Sequence, residues 1–131
     1  MILDNKGVGV IVQKDDKILV GMRTDGKGWG MPGGHVDGRE TIRQAAIREL
    51  EEESGLIPAN LSYKGRAVSF NDGHIWISPV FFADDFAGTP QNTDEVVNWT
   101  WIDPYLFLQS KKPMFEPAKQ ALLAHLTALW L

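Results

Sequence analysis

GHVDGRETIRQAAIRELEEESGL, residues 34–56, holds Glu49, Glu51, Glu52 and Glu53 in one short run near the end of a predicted helix. A helix turns about 100° per residue, so Glu49, Glu52 and Glu53, at i, i+3 and i+4, project from one face, while Glu51 points elsewhere. Like charges at that spacing repel by roughly 0.2–0.5 kcal/mol, and carboxylates in a last turn also oppose the negative end of the helix dipole. Followed back toward the helix start, the same face carries Ile42, Ala45 and Ala46, so the acidic cluster continues the stripe expected to pack inward. Partly desolvated like charges either take up protons or bind metal, and hard oxygen ligands suit Mg²⁺ or Mn²⁺. The alternative, a solvated acidic helix end, does not account for that alignment.

The limits of the helix follow from local signals. Thr41 with Gln44 forms a capping-box pattern, and Gly55 suits a left-handed residue just past the end, which predicts a helix over 42–54. Upstream, Trp29-Gly30-Met31-Pro32-Gly33-Gly34 reads as an irregular loop whose glycines let backbone approach a ligand closely. A strand, a Gly-rich loop and a helix are also the parts of a P-loop, but no Gly-Lys-Ser/Thr follows, so phosphates would be held through metal.

Gly34, Glu40 and then Arg48-Glu49-Leu50-x-Glu52-Glu53-x-Gly55-Leu56 fill every defined position of the Nudix box, and in this the chain resembles the MutT-like Nudix hydrolases. The likeness extends to Leu19-Val20-Gly21-Met22-Arg23, to the Trp29–Gly34 loop and to an acidic residue before Trp99-x-Trp101, covering about residues 7–103. One departure is Asp37-Gly38-Arg39, where many relatives have Glu-x-Gly before the first box glutamate. The resemblance implies an α/β fold, an α/β/α sandwich around a mixed β-sheet, with residues 1–131 forming a single domain.

It also implies roles for particular residues. Glu49, Glu52 and Glu53 take the positions of metal ligands, joined by the Gly33 carbonyl and by Glu95 from outside the box. Glu53 or Glu49 is the general base. Arg48 and Glu40 support the ligands, Arg48 by pairing with a box glutamate. Arg23, Trp29 and Gly34 fall where substrate binds: Arg23 is a candidate for gripping phosphate or base, and Trp29 either stacks on a base or fills the core edge. The activity implied is divalent-metal-dependent pyrophosphohydrolysis of a nucleoside diphosphate linked to another group, foremost a nucleoside or deoxynucleoside triphosphate cleaved to monophosphate and pyrophosphate. The alternatives are ADP-ribose or a sugar nucleotide as substrate, or a catalytically idle domain that senses a nucleotide.

Global properties agree with a small enzyme. The chain has 131 residues, 44% of them hydrophobic and 23% charged, in the ordinary range for one globular unit. A net charge of −4 argues against a nucleic-acid polymer as partner, because that would need a basic face. No cysteine is present, the segment Met1 to Lys6 has no leader-like apolar run, and no stretch approaches membrane-spanning length. A cytoplasmic protein acting on small nucleotides is the expectation, with a homodimer possible through the Trp130-Leu131 end.

The remaining chain reads as alternating strands. Val8, Val10 and Val12, a turn at Asp15-Asp16, and Ile18, Val20 and Met22 predict a hairpin. Residues 61–70 and 74–84 predict two strands joined through Asn71-Asp72-Gly73, with Pro79 marking an edge or a bulge. Pro58–Asn60 and 87–92 read as loops, 96–102 as a strand and 104–108 as a helical turn. Residues 116–130 read as a closing helix whose inward positions are Ala118, Ala121, Leu122, Leu126, Leu129 and Trp130. Trp76, Trp99 and Trp101 are expected in the core or at an interface, and His35 and His74 at a polar surface or at the edge of the substrate.

Overall fold

A computed structural model describes residues 2–131. Met1, the first residue of the N-terminal segment and of the domain expected over 1–131, lies outside the described residues. In chain order the elements are β1 (Ile2–Asp4), β2 (Gly7–Lys14), β3 (Lys17–Arg23), β4 (Trp29–Gly30), β5 (Gly33–His35), α1 (Ile42–Ser54), β6 (Ile57–Pro58) and β7 (Ser62–Asn71). They continue with β8 (His74–Ala83), β9 (Phe86–Ala87), β10 (Val96–Ile102), α2 (Pro104–Gln109) and α3 (Glu116–Thr127).

Alternation along β2 explains why helices cover both sides of the sheet. Val8, Val10 and Val12 turn to one face and pack with Leu19, Phe81, and Ala45, Ala46 and Leu50 of α1. Ile11 turns to the other and meets Ile18, Ala67, Val80, and Ala121 and Leu122 of α3. The result is the expected α/β/α sandwich. Its mixed sheet runs β1-β8-β2-β3-β10, with β7 beside β8, β5 beside the start of β2 and β4 beside β3. Strand β2 lies parallel to β8 but antiparallel to β3 and β5, so it divides the sheet and carries β5 toward the end of α1.

Local signals set the ends of α1 where they were expected. The Thr41 side chain accepts from the Gln44 backbone N–H and Gln44 returns a bond to the Thr41 N–H, while Gly55 closes the helix at φ 81°. Asp72 and Gly73, both at positive φ, make the tight turn between β7 and β8.

Several expectations need correction. The Trp29–Gly34 segment is not irregular, because backbone pairing with β3 and β2 turns it into the short strands β4 and β5. Pro58 likewise belongs to β6, which pairs with β9. Pro79 lies in an inner strand, not at an edge: it faces Arg66 of β7 and falls between His74–Trp76, which pairs with β1, and Val80–Ala83, which pairs with β2. The β7 register shift between Tyr63 and Gly65 lies beside it, as the bulge alternative expected. On the parallel side Pro79 has no paired residue, which leaves room for a residue without an N–H. Ile42 is 41% exposed and the whole first turn over 41–44 is exposed with it, so the apolar stripe is covered only from Ala45 on. The closing helix stops at Thr127, with Ala128 left-handed, so Leu129 leaves the apolar stripe and is 77% exposed.

Replacing the capping oxygen should loosen the start of the helix that carries the acidic run. Thr41→Ala is expected to lower unfolding free energy by about 1 kcal/mol, measured as a fall in the urea midpoint without a change in slope.

Candidate functional site

Glu53 lies at the end of α1 and is 7% exposed. Its Oε1 accepts a 2.7 Å hydrogen bond from the Gly33 N–H, which β5 presents from its pairing with β2. One backbone donor does not replace the lost water. Burial pushes the Glu53 carboxyl up to about 7, the Gly33 bond working against the rise and the charges of Glu49 and Glu95 adding to it. Glu49, one helical turn back, is also raised, first by burial and then by Glu52 and Glu95, with the Arg48 guanidinium opposing.

Glycine at 34 is a condition for this arrangement. A methyl group there would sit 2.5 Å from Oε2 of Glu49 and 2.7 Å from Oε1, so the bare backbone lets that carboxylate lie against β5. The carbonyl of Glu53, left without a partner at the helix end, accepts from the Trp99 indole N–H at 3.2 Å. Trp99 therefore does more than fill the core, a role that its place in an alternating strand did not disclose. The positive φ of Asn98 and the register shift between Val97 and Thr100 precede it, and an asparagine inside a strand is the local sign of such a bulge.

Arg48 organises the outer edge. Its Nε and Nη2 reach Glu40, the shortest contact being 2.6 Å, its Nη1 reaches Glu49 at 2.8 Å and Glu52 at 3.1 Å, and Nη2 also donates to the His35 carbonyl at 2.9 Å. Hydrogen bonds from Arg48 and from the Asp37 N–H hold Glu40 below the usual carboxylate range. The departure at Asp37-Gly38-Arg39 thus leaves a turn that still docks on Glu40, and Asp37 adds a 3.5 Å ion pair to Arg48.

Of the residues read from the sequence, the fold gathers Gly33, Gly34, Glu40, Arg48, Glu49 and Glu53 around the end of α1. Glu52 is on the shared face but its side chain is 59% exposed, at the rim. Glu95 is exposed too, yet Val96 pairs with Arg23, and the charge of Glu95 acts on both Glu49 and Glu53. Among the described residues no three acidic or histidine side chains converge closely enough to hold an ion as they stand. Arg48 Nη1 stands between Glu49 and Glu52, and Gly33 holds Glu53. Trp29 is half-buried, its ring meeting Phe107 edge-on with centroids 6.1 Å apart. Arg23 is paired with Asp25 and lies over Phe115, two partners that nothing in the sequence pattern marked.

The chain belongs to the NUDIX domain family, whose model matches residues 4–126. Within that family it is a hydrolase acting on phosphoanhydride bonds, and Nudix hydrolases generally work with divalent metals. An RNA pyrophosphohydrolase of Hydrogenovibrio crunogenus is 28% identical over 96% of this chain and 91% of its own. An oxidized purine nucleoside triphosphate hydrolase of Danio rerio is 37% identical over 76% of this chain and 68% of its own. The solution structure of the E. coli ORF135 protein aligns with a TM-score of 0.76 and 32% identity, covering 98% of this chain and 91% of that one. No helix among the described residues is long and apolar enough to cross a membrane.

Burial of Glu53 predicts how stability varies with pH. An unfolded glutamate titrates near 4.5 and the folded one near 7, so between those values the folded state binds more protons and stability falls as pH rises. The gap corresponds to roughly 3 kcal/mol, present below pH 4.5 and lost by pH 7 and above. Urea unfolding in chelator from pH 5 to pH 8 should show this decline, and Glu53→Gln should reduce it to the part that Glu49, also raised, contributes. Equal declines in the two proteins would contradict the assignment.

Proposed function

We propose that this chain is a divalent-metal-dependent pyrophosphohydrolase of nucleotides, cleaving a nucleoside or deoxynucleoside triphosphate with water to monophosphate and pyrophosphate. The observation that carries the reading is the buried Glu53 carboxylate, beside Glu49 and against the bare backbone of Gly33 and Gly34. Both carboxyls are raised, which is an unmet demand for positive charge, and oxygen donors of that kind fit Mg²⁺ or Mn²⁺. Glu49, Glu52, Glu53, the Gly33 carbonyl and Glu95 are the groups that would hold the ion. A bound divalent ion supplies charge neutralisation at phosphate oxygens and a more acidic water.

The protein's own groups divide the remaining work. Glu53 or Glu49 takes the proton from the attacking water, and a carboxylate near 7 is well matched to accept it at neutral pH. Arg48, fixed by Glu40 and the His35 carbonyl, keeps Glu49 and Glu52 oriented. Gly34 leaves the approach to Glu49 open, and Arg23 lies on the substrate side. The site needs only a small phosphorylated ligand, consistent with a soluble cytoplasmic enzyme acting as one domain.

A second reading is favoured by the likeness to an RNA pyrophosphohydrolase across 96% of the chain. The same bond chemistry would then act at an RNA 5′ end, against which stands the net charge of −4.

A panel of ordinary and oxidised nucleoside triphosphates, ADP-ribose, sugar nucleotides and 5′-triphosphorylated RNA tests the proposal. Pyrophosphate release from a triphosphate should require Mg²⁺ or Mn²⁺ and fall about 100-fold or more in Glu53→Gln. Preferred turnover of ADP-ribose, a sugar nucleotide or RNA would reassign the substrate. Saturable binding without turnover would make the chain a sensor, and turnover indifferent to metal and to Glu53→Gln would sink the mechanism.

A further inference from the structure

Arg23 ends β3 beside the carboxylate cluster, and one edge of its guanidinium is already occupied. Nε lies 3.2 Å from both Oδ1 and Oδ2 of Asp25, and Nη2 lies 2.6 Å from Oδ2. This forked pair engages the Nε–Nη2 edge, one of the two that arginine can offer a phosphate, and sets a compensating negative charge against it. A phosphate meeting that edge would have to displace Asp25, which a second bond from the Lys27 N–H at 3.0 Å helps to hold.

The flat face of the same group is supported. Arg23 Cζ lies 3.8 Å over the Phe115 ring. Phe115 is held in turn, because its N–H donates to the Trp29 carbonyl at 2.8 Å and the Trp29 N–H donates to the Pro113 carbonyl at 2.9 Å. Gly30 leaves room for the arginine stem, since a methyl there would come within 3.3 Å of Arg23 Cδ. The stack stands close enough to the carboxylates for the Arg23 charge to act on Glu53. Phe115 covers one side and Asp25 one edge, and the side chain is still 27% exposed.

We propose that Arg23 is a specificity-determining residue that offers its guanidinium plane, backed by Phe115 and locked by Asp25, as a stacking surface for the nucleobase. A delocalised cation stacks well on a planar ring, and a rigid plane spends little entropy on doing so. The inference rests on the nucleotide reading above and gives that site a means of sensing the base.

The test separates base from phosphate. Calorimetry with α,β-methylene analogues needs no turnover, and compares a nucleoside triphosphate with the base-free ribose 5-triphosphate in Mg²⁺. Wild type should bind the nucleotide on the order of tenfold more tightly than the base-free analogue. Arg23→Lys, which keeps the charge and loses the plane, and Phe115→Leu, which removes the backing ring, should each abolish most of that preference with native circular dichroism. A wild-type preference near one, retention of the preference in Arg23→Lys, or equal weakening for both ligands would overturn the proposal. Absence of turnover in wild type would count against the hydrolase reading instead, leaving the binding ratio to decide this one.

Discussion

A carboxylate buried at the end of a helix with one backbone N–H for a partner is the constraint on which the site depends. Glu53 is placed there because α1 packs Ala45, Ala46 and Leu50 onto the sheet, and the same face then runs on into Glu49 and Glu53. The helix dipole and the charges of Glu49 and Glu95 oppose ionisation at that point, and the charge of Arg23 offsets them only in part. Protonation relieves the charge at low pH, and a cation relieves it without a proton. A fold that keeps such a group is holding a place for positive charge.

The surrounding elements make that place available. Strand β5, held by β2, brings the Gly33 N–H to Glu53 and leaves no side chain at Gly34 to displace Glu49. Arg48 draws Glu40, Glu49 and Glu52 together at the rim, where it serves as the resident cation. Trp99 takes up the carbonyl at the helix end, so β10 fixes the depth at which the acidic turn lies. Each of these is a backbone or second-contact effect, and together they convert three glutamates at helical spacing into one site with a buried centre and an exposed edge.

Much of this was legible because it is written in local pattern. The limits of α1 came from Thr41, Gln44 and Gly55, and the strand alternation of Val8, Val10, Val12 and Ile11 already contained the two faces of the sandwich. Long-range pairing was not legible. It turned Trp29–Gly34 into strands and placed Pro79 in the interior of β8, in the gap between the segments that pair with β1 and β2. Helical spacing marked Glu49, Glu52 and Glu53 as equals, whereas the distance of each from the sheet made Glu53 buried and Glu52 a rim residue. Arg23 was visible as a candidate, but Asp25 and Phe115, which define what its guanidinium can contact, became apparent only when the turn after β3 and the start of α3 were brought together.

The most direct measurement is a carbon-detected NMR titration of the Glu53 side-chain carboxyl in chelator and again in saturating Mg²⁺. In chelator the midpoint should lie near 7, as burial dictates, and Mg²⁺ should move it well below the ordinary glutamate value of 4.5. A midpoint near 4.5 that Mg²⁺ leaves unchanged would contradict the claim that this buried carboxylate is the centre of a cation site.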